Sequence, residues 1–201
     1  MEEPNEGKTQ GEDRLLTVPN LLSVGRLLCV PLFLYLLFGR HNRAGAAWLL
    51  AGLGATDWVD GYVARHFNQV STLGKILDPL ADRILLGVGV IALLIDGSVP
   101  TWVGVAALAR EVVVAIAALV LASLGARRID VTWVGKAGTF GLMFAFPMFL
   151  ASHSTLSVRN ELGVAAWLCA IPGLILSYYA AATYVPIAKR ALEEGRVGSE
   201  R

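Results

Sequence analysis

Long apolar segments recur along the whole chain, and they limit the possible folds more strongly than any other feature. A helix of roughly 20 apolar residues crosses a hydrocarbon layer about 30 Å thick, and 55% of the 201 residues are hydrophobic. Open sheets leave backbone groups unsatisfied in lipid, and no alternating ten-residue pattern recurs here. We therefore predict an all-α integral membrane protein with six transmembrane helices. The predicted spans are Pro19–Phe38, Ala44–Ala64, Leu73–Ile95, Thr101–Leu124, Trp133–Ser152 and Leu162–Ala188.

The two ends of the chain are polar. We predict a disordered polar tail over residues 1–14, a single six-helix domain over 15–188 and a basic tail over 189–201. The first residues lack the basic start and short apolar core of a secretory signal. Cys29 and Cys169 lie far apart in apolar segments, so we expect small buried side chains rather than a disulfide or a thiolate metal site.

Basic residues are distributed unevenly between the two sides that six spans would create. With both termini on one side, that side holds Lys8, Arg14, Arg65, Lys75, Arg127, Arg128, Lys136, Lys189, Arg190, Arg196 and Arg201. The opposite loops hold Arg40, Arg43 and Arg159. Basic residues favour the cytoplasmic side of a membrane protein, so both termini are predicted to be cytoplasmic. The formal net charge is +1, and no nucleic-acid partner is expected.

Four carboxylates interrupt the second and third apolar segments at helical spacing. One predicted helix face carries, at i, i+3, i+4 and i+7, Asp57, Asp60, Gly61 and Ala64. The next carries, at i, i+4 and i+8, Gly74, Asp78 and Asp82. Residues at these spacings share one side of a helix. Carboxylates in membrane segments are unfavourable unless they are paired or functional, so the pattern predicts a polynuclear metal site with room for a ligand.

The residue types in this cluster indicate a particular chemistry. Carboxylate oxygens suit hard cations such as Mg²⁺, Mn²⁺ or Ca²⁺, and two such ions can clamp a pyrophosphate during a displacement. Arg65 is placed to donate to phosphate, while Gly61 and Gly74 allow a bulky ligand to lie against the helices. Asp82, at the edge of the cluster, is available to take a proton from a hydroxyl. We therefore predict phosphoryl or phosphatidyl transfer at a membrane surface.

The full pattern is Asp57-x2-Asp60-Gly61-x2-Ala64-Arg65-x8-Gly74-x3-Asp78-x3-Asp82. At every fixed position it resembles the motif of the CDP-alcohol phosphotransferase family. The resemblance implies six transmembrane helices, a homodimer, a bacterial cell-membrane location and a site open to the cytoplasm. It also implies transfer of a phosphatidyl group from CDP-diacylglycerol to an alcohol, with release of CMP.

The resemblance implies a role for each residue of the motif. Two divalent cations, Mg²⁺ or Mn²⁺, would be held by Asp57, Asp60 and Asp78, and Asp82 would be the general base and a possible further ligand. The CDP group would be surrounded by Asp57, Gly61, Ala64, Arg65, Gly74 and Asp78. The residues themselves show no serine, cysteine or histidine paired with a base near the motif, so direct displacement is favoured over a covalent intermediate.

The residues for the acceptor must be inferred from weaker features. The sequence Thr17-Val18-Pro19-Asn20-Leu21-Leu22-Ser23-x2-Arg26 resembles the start of the phosphatidylglycerophosphate synthase and cardiolipin synthase branch. Asn20 is either a helix cap or a ligand of the nucleotide, and Arg26 is predicted to have an anionic partner because a lone charge there is unfavourable. Arg110 is either paired structurally with Glu111 or a phosphate ligand. Lys136 is a further candidate for the acceptor phosphate.

Two missing cations favour a lipid acceptor over a small phosphate ester. Relatives that use glycerol 3-phosphate often carry a second lysine two residues after the first, where this chain has Gly138. They also tend to carry a basic residue after the Arg-Glu pair, where this chain reads VVVAIAALV. A dianionic phosphate would be held less well without these cations. We therefore predict phosphatidylglycerol as acceptor and cardiolipin as product, with glycerol 3-phosphate and phosphatidylglycerophosphate as the alternative.

Two other functional classes fit some of these features. A cation transporter also places carboxylates inside a helical bundle, but it does not require the glycines, alanine and arginine of the motif in this register. A non-catalytic lipid-binding scaffold would be expected to have lost at least one of the four aspartates, and all four are present. Metal-dependent release of CMP from CDP-diacylglycerol distinguishes the enzyme from both alternatives.

Overall fold

A computed structural model of the protein describes the backbone of residues 18–67, 74–123 and 133–199, and the side chains of residues 24–56, 83–117 and 133–183. Every regular element within these ranges is helical. The helices are α1 (Val18–Leu34, continued by a π-helical segment, Tyr35–Gly39), α2 (Arg43–Phe67), α3 (Gly74–Asp96), α4 (Thr101–Ser123), α5 (Trp133–Ser152) and α6 (Arg159–Ser199).

The predicted all-α class is confirmed for the described residues, and each predicted span coincides with one helix. Among the described residues, two stretches are long and apolar enough to cross a membrane, Trp133–Ser152 and Arg159–Thr183. The six-span arrangement itself stays a prediction. α6 continues without a break past the predicted end at Ala188 to Ser199. The predicted N-terminal tail lies outside the described residues.

The chain divides into two compact units, Met1–Ala92 and Leu93–Arg201, which we call the first and second units. In the first unit α1 packs against α2. The connection between them is tightly hydrogen-bonded: the N–H of Arg40 donates to the carbonyl of Tyr35 at 2.9 Å, and the N–H of Asn42 donates to the carbonyl of Leu36 at 2.9 Å. The side-chain oxygen of Asn42 then accepts from the N–H of Gly45 at 2.9 Å, which caps α2.

In the second unit α5 and α6 form a closely packed antiparallel hairpin. A Cβ built on Gly141 would lie 3.1 Å from the backbone carbonyl oxygen of Cys169. Further along the pair, the rings of Phe149 and Trp167 meet edge to face, with centroids 5.2 Å apart. Residue numbers rise along α5 as they fall along α6, so the two helices run in opposite directions. Side chains larger than glycine would separate them at Gly141.

α4 packs against α6 in the same unit. The rings of Trp102 and Trp167 stack with their centroids 5.8 Å apart, and the hydroxyl of Tyr178 donates to the carbonyl oxygen of Ala106 at 2.8 Å. The second contact lies further along the chain than the first on both helices, from Trp102 to Ala106 on α4 and from Trp167 to Tyr178 on α6. The two helices therefore run in the same direction where they meet.

Candidate functional site

The residues of the predicted acidic site lie on two successive helices of the first unit. The C-terminal part of α2 carries Asp57, Asp60, Gly61, Ala64 and Arg65. The N-terminal part of α3 carries Gly74, Asp78 and Asp82. The backbone is therefore helical at every position of the motif, as the spacing predicted. The side chains of these residues lie outside those that the structure describes.

The two helices approach each other at a point nearer their middle. A Cβ built on Gly89 would lie 3.9 Å from Cδ1 of Leu50, so α3 passes beside α2 at this level. Asp57 lies seven residues beyond Leu50, and Asp82 lies seven residues before Gly89. Both aspartates are thus about 10 Å along their helices from the same contact, on the side of the connection formed by residues 68–73.

The donor set of the motif suits a hard divalent cation. Four aspartates supply carboxylate oxygens and no thiolate or imidazole, which is the ligand preference of Mg²⁺ and Mn²⁺ rather than of softer metals. Among the side chains that the structure does describe, no group of three or more His, Cys, Asp or Glu residues could hold a metal ion. The aspartates of the motif therefore stay the predicted metal ligands.

Two candidate residues lie on α1. Arg26 is buried, with 6% of its surface exposed, and its side chain interacts with its surroundings. That its partner is anionic stays a prediction. Asn20 lies in the first turn of α1, which begins at Val18. An N-cap precedes the first helical residue, so this position is less suited to capping than the sequence indicated. The side chain of Asn20 is outside the described part of the chain.

Arg110 is a buried cation near the middle of α4. Its side chain is 9% exposed, and its Nη1 donates to Oε1 of Glu111. The predicted Arg–Glu pair is therefore present. The Nε of Arg110 is also buried and has no hydrogen-bond partner among the described residues. Because an arginine presents several donors in a fixed plane, the pair with Glu111 leaves one buried donor of Arg110 unsatisfied among the described residues.

The apolar run after Arg110 is divided between two sides of α4. Three of its residues are more than half exposed, namely Val112, Val113 and Ile116. Val114 and Ala117 lie at i+4 and i+7 from Arg110, share its side of the helix and are partly buried. In the described part of α4, apolar residues therefore follow Arg110 on its side of the helix. A second cation, of the kind expected in relatives that use glycerol 3-phosphate, is not found there.

Lys136 lies in the first turn of α5 and is exposed. Its Nζ is 5.7 Å from the ring centroid of Trp133, within the range of a cation–π contact. The ammonium group therefore remains accessible to an anion. α5 itself contains no Asp or Glu that would pair with this charge.

The structure corrects the interpretation of Gly138 as a missing cation. A Cβ built there would lie 2.5 Å from Oγ of Ser177 and 2.6 Å from the backbone nitrogen of Ser177. Neither atom can move far, because the backbone of α6 is part of the contact. Gly138 is thus required for α5 to approach α6. Its lack of a side chain is explained by helix packing and carries no information about the acceptor.

Comparison with known proteins identifies the family. The model of the CDP-alcohol phosphatidyltransferase family matches residues 16–177. The chain belongs to this family. It is 38% identical to the cardiolipin synthase (CMP-forming) of Streptomyces coelicolor, over 89% of this chain and 85% of that protein. It is 36% identical to a putative cardiolipin synthase of Mycobacterium tuberculosis, over 86% of this chain and 83% of that protein.

A second group of relatives carries a different name. The chain is 33% identical to a probable phosphatidylglycerophosphate synthase of Mycobacterium tuberculosis, over 94% of this chain and 89% of that protein. The predicted enzyme class and branch are confirmed by these matches. The whole aspartate motif lies within the matched residues of this CDP-alcohol phosphatidyltransferase, together with Arg26, Arg110 and Lys136.

Sequence reasoning missed the contacts that hold the second unit together. Ser177 and Tyr178 resemble ordinary residues of an apolar helix, and their partners Gly138 and Ala106 are distant in sequence. Glycines on both α5 and α6 were a usable signal for close helix packing. No sequence signal identified the bond from Tyr178 to Ala106, which joins residues 72 positions apart.

Proposed function

We propose that this phosphatidyltransferase transfers the phosphatidyl group of CDP-diacylglycerol to phosphatidylglycerol, producing cardiolipin and CMP. The observation that carries the proposal is the order of similarity among relatives. Those named cardiolipin synthase are 38% and 36% identical, whereas the phosphatidylglycerophosphate synthase just described is 33% identical. Each of these three matches covers at least 86% of this chain.

The enzyme is proposed to work within the bacterial cell membrane as a six-helix protein. Large apolar side chains are exposed on helices of both units, among them Leu28, Trp48, Ile95 and Leu168, each about two thirds exposed or more. Such surfaces are suited to lipid rather than water. The charge bias supports cytoplasmic termini and a site that opens to the cytoplasm. We retain residues 15–188 as the catalytic domain, with tails over 1–14 and 189–201, and a homodimer as the assembly.

The aspartate motif is proposed to hold two divalent cations, Mg²⁺ or Mn²⁺. Asp57, Asp60 and Asp78 would be the ligands, and Asp82 would share in binding. When bound, the ions would neutralise charge on the pyrophosphate of CDP-diacylglycerol. Asp57 and Asp82 lie seven residues from the close approach of Leu50 and Gly89, and this similar distance supports a shared site.

The remaining motif residues are proposed to bind and orient the nucleotide. Arg65 would donate to phosphate, while Gly61, Ala64 and Gly74 leave room beside the helices and Asn20 contacts the CDP group. Asp82 accepts the proton of the acceptor hydroxyl while the oxygen of that hydroxyl bonds to the β-phosphorus of CDP-diacylglycerol. The bond from that phosphorus to the oxygen of CMP breaks, and CMP leaves with the bonding electrons.

Arg26, Arg110 and Lys136 are proposed to bind anionic groups of the substrates. Arg110 has the strongest support, because it is buried and its Nε lacks a partner among the described residues. A phosphodiester such as that of phosphatidylglycerol would satisfy this donor. The partly buried apolar residues beside it suit a lipid chain better than a second charge.

Glycerol 3-phosphate is the alternative acceptor. It is favoured by the relative named phosphatidylglycerophosphate synthase, which is matched over 94% of this chain. The correction at Gly138 also removes one argument against it. Both acceptors present a primary hydroxyl and a phosphate, so the same aspartate chemistry serves either product.

The test uses the purified full-length protein in lipid with Mg²⁺ or Mn²⁺ and CDP-diacylglycerol. Phosphatidylglycerol and glycerol 3-phosphate are supplied in separate reactions, and CMP and the lipid product are both measured. We expect cardiolipin from phosphatidylglycerol and loss of activity after metal chelation, restored by added Mn²⁺. Phosphatidylglycerophosphate made only from glycerol 3-phosphate would establish the alternative. CMP release without either lipid product would contradict both acceptors. No CMP release at all would also contradict both, and it would favour a transporter or a non-catalytic scaffold.

A further inference from the structure

We propose that Tyr178 is a positioning residue for the acceptor, because its hydroxyl fixes the turn of α4 that carries Arg110. This inference rests on the function proposed above. Tyr178 lies one residue beyond the range matched by the family model, which ends at residue 177. It belongs neither to the aspartate motif nor to the candidate acceptor cations, so its role must be derived from its contacts.

The hydrogen bond of Tyr178 is made at a specific point of α4. Its hydroxyl donates to the carbonyl oxygen of Ala106 at 2.8 Å. In an α-helix that carbonyl is also the acceptor for the backbone N–H of the residue four positions later, which is Arg110. A carbonyl oxygen has two lone pairs and can accept both donors. The bond therefore attaches α6 to the start of the helical turn that ends at Arg110.

Ser177, the preceding residue, makes the matching contact to α5. Its Oγ and backbone nitrogen lie against Gly138, where no Cβ could fit. Adjacent residues on a helix point about 100° apart, so Ser177 and Tyr178 contact two different helices from one level of α6. Lys136 lies two residues before Gly138. This level of α6 therefore contacts both helices that carry the second unit's candidate acceptor cations.

Arg110 is sensitive to such positioning. Its side chain is 9% exposed and already shares a hydrogen bond with Glu111, so it has few alternative orientations. Its guanidinium donates only along fixed directions in its plane. A small rotation of the α4 turn would move the unpaired Nε away from an acceptor phosphate. A tyrosine that only stabilised the fold would instead affect all substrates alike.

The first experiment compares Tyr178→Phe with Tyr179→Phe in the full-length enzyme. Tyr179 is a neighbouring, 62% exposed tyrosine with no hydrogen bond among the described residues. Losing one hydrogen bond in Tyr178→Phe should raise the KM for phosphatidylglycerol about three- to tenfold. The KM for CDP-diacylglycerol and kcat at saturating acceptor should change less than about twofold. An unchanged acceptor KM, or equal changes in both KM values, would overturn the proposal.

A double-mutant cycle tests whether Tyr178 acts through Arg110. In an Arg110→Lys background, the charge is kept but the planar donor group is lost. Tyr178→Phe should then add much less than its own effect on the acceptor KM, because residues that act through one another are not additive. Independent, multiplicative effects would show that Tyr178 acts elsewhere and would reject its positioning role.

Amide hydrogen exchange provides a readout that does not depend on the acceptor. Peptides that cover residues 103–111 should exchange faster in Tyr178→Phe and at the wild-type rate in Tyr179→Phe. Unchanged exchange would overturn the proposal whatever the activity. If the wild-type enzyme uses only glycerol 3-phosphate, the proposed acceptor is wrong, and the predicted KM increase must appear with glycerol 3-phosphate. The two failures are thereby distinguished.

Discussion

Asp82 and Asp78 are separated by one helical turn of α3, yet the proposed chemistry gives them different roles. A general base takes a proton and can lose that ability while the substrate still binds. A metal ligand also supports the binding of the ion itself. Substitutions at the two positions should therefore have distinguishable effects.

We expect Asp82→Asn to lower CMP release by about 100-fold or more, because asparagine cannot accept the proton of the acceptor hydroxyl. Binding of CDP-diacylglycerol should remain within a few-fold of wild type. Asp78→Ala should abolish turnover and also weaken Mn²⁺ binding, as measured by electron paramagnetic resonance of the purified protein. Asp96→Asn, at the far end of α3, is the matched control. Near-normal turnover in Asp82→Asn would remove Asp82 from the role of base.

Gly138 shows how a single residue determines the packing of two elements. The α5–α6 pair requires close backbone approach, and the contact is with backbone as well as side-chain atoms of Ser177. Gly87 on α3 is a contrasting case, since a Cβ built there meets no atom of the described residues within 4 Å. The same substitution at these two glycines should therefore have opposite effects.

We expect Gly138→Ala to destabilise the protein by about 1–3 kcal/mol through overpacking. Gly87→Ala should be neutral or stabilising by up to about 1 kcal/mol, because alanine favours a helix more than glycine does. Thermal unfolding in a fixed detergent, followed by circular dichroism, measures both. A Gly138→Ala protein as stable as Gly87→Ala would show that α5 and α6 do not require this contact.

At the level of elements, the sequence was a good guide to where helices lie and a poor guide to how they touch. The bounds of α5 were predicted correctly because Trp133–Ser152 is a continuous apolar run between polar loops. The π-helical segment Tyr35–Gly39 was missed because apolarity alone does not distinguish an α-helical from a π-helical turn. Gly138 was misinterpreted because the partner that explains it, Ser177, lies on another helix.

For the whole molecule, the aspartate motif and the long apolar segments predicted the enzyme class that the family match confirms. The acceptor was harder to predict, because it depends on side chains contributed by several helices. Arg110 illustrates the difficulty: sequence alone left its pairing with Glu111 and its availability to a ligand as alternatives. The structure contains the pair and a further buried donor together.

The proposed topology makes a prediction about the whole chain. In a cysteine-free background, made by Cys29→Ala and Cys169→Ala, a cysteine at Asn5 should be labelled by a membrane-impermeant maleimide only after the cells are opened. A cysteine at His41, in the connection between α1 and α2, should be labelled in intact cells. The asymmetry of basic residues supplies the physical reason. Labelling in the reverse order would invert the predicted orientation.

The close packing of α5 and α6 at Gly138 and Gly141 has a consequence for synthesis of the protein. Gly138 and Gly141 leave a bare strip of backbone on α5, and the residues that cover it, including Ser177, are translated later. A chain interrupted after Ser152 would contain every aspartate of the motif but would carry this strip without its partner. α5 can therefore complete its packing only after α6 has been translated, and premature stop codons should yield chains that membrane quality-control proteases recognise.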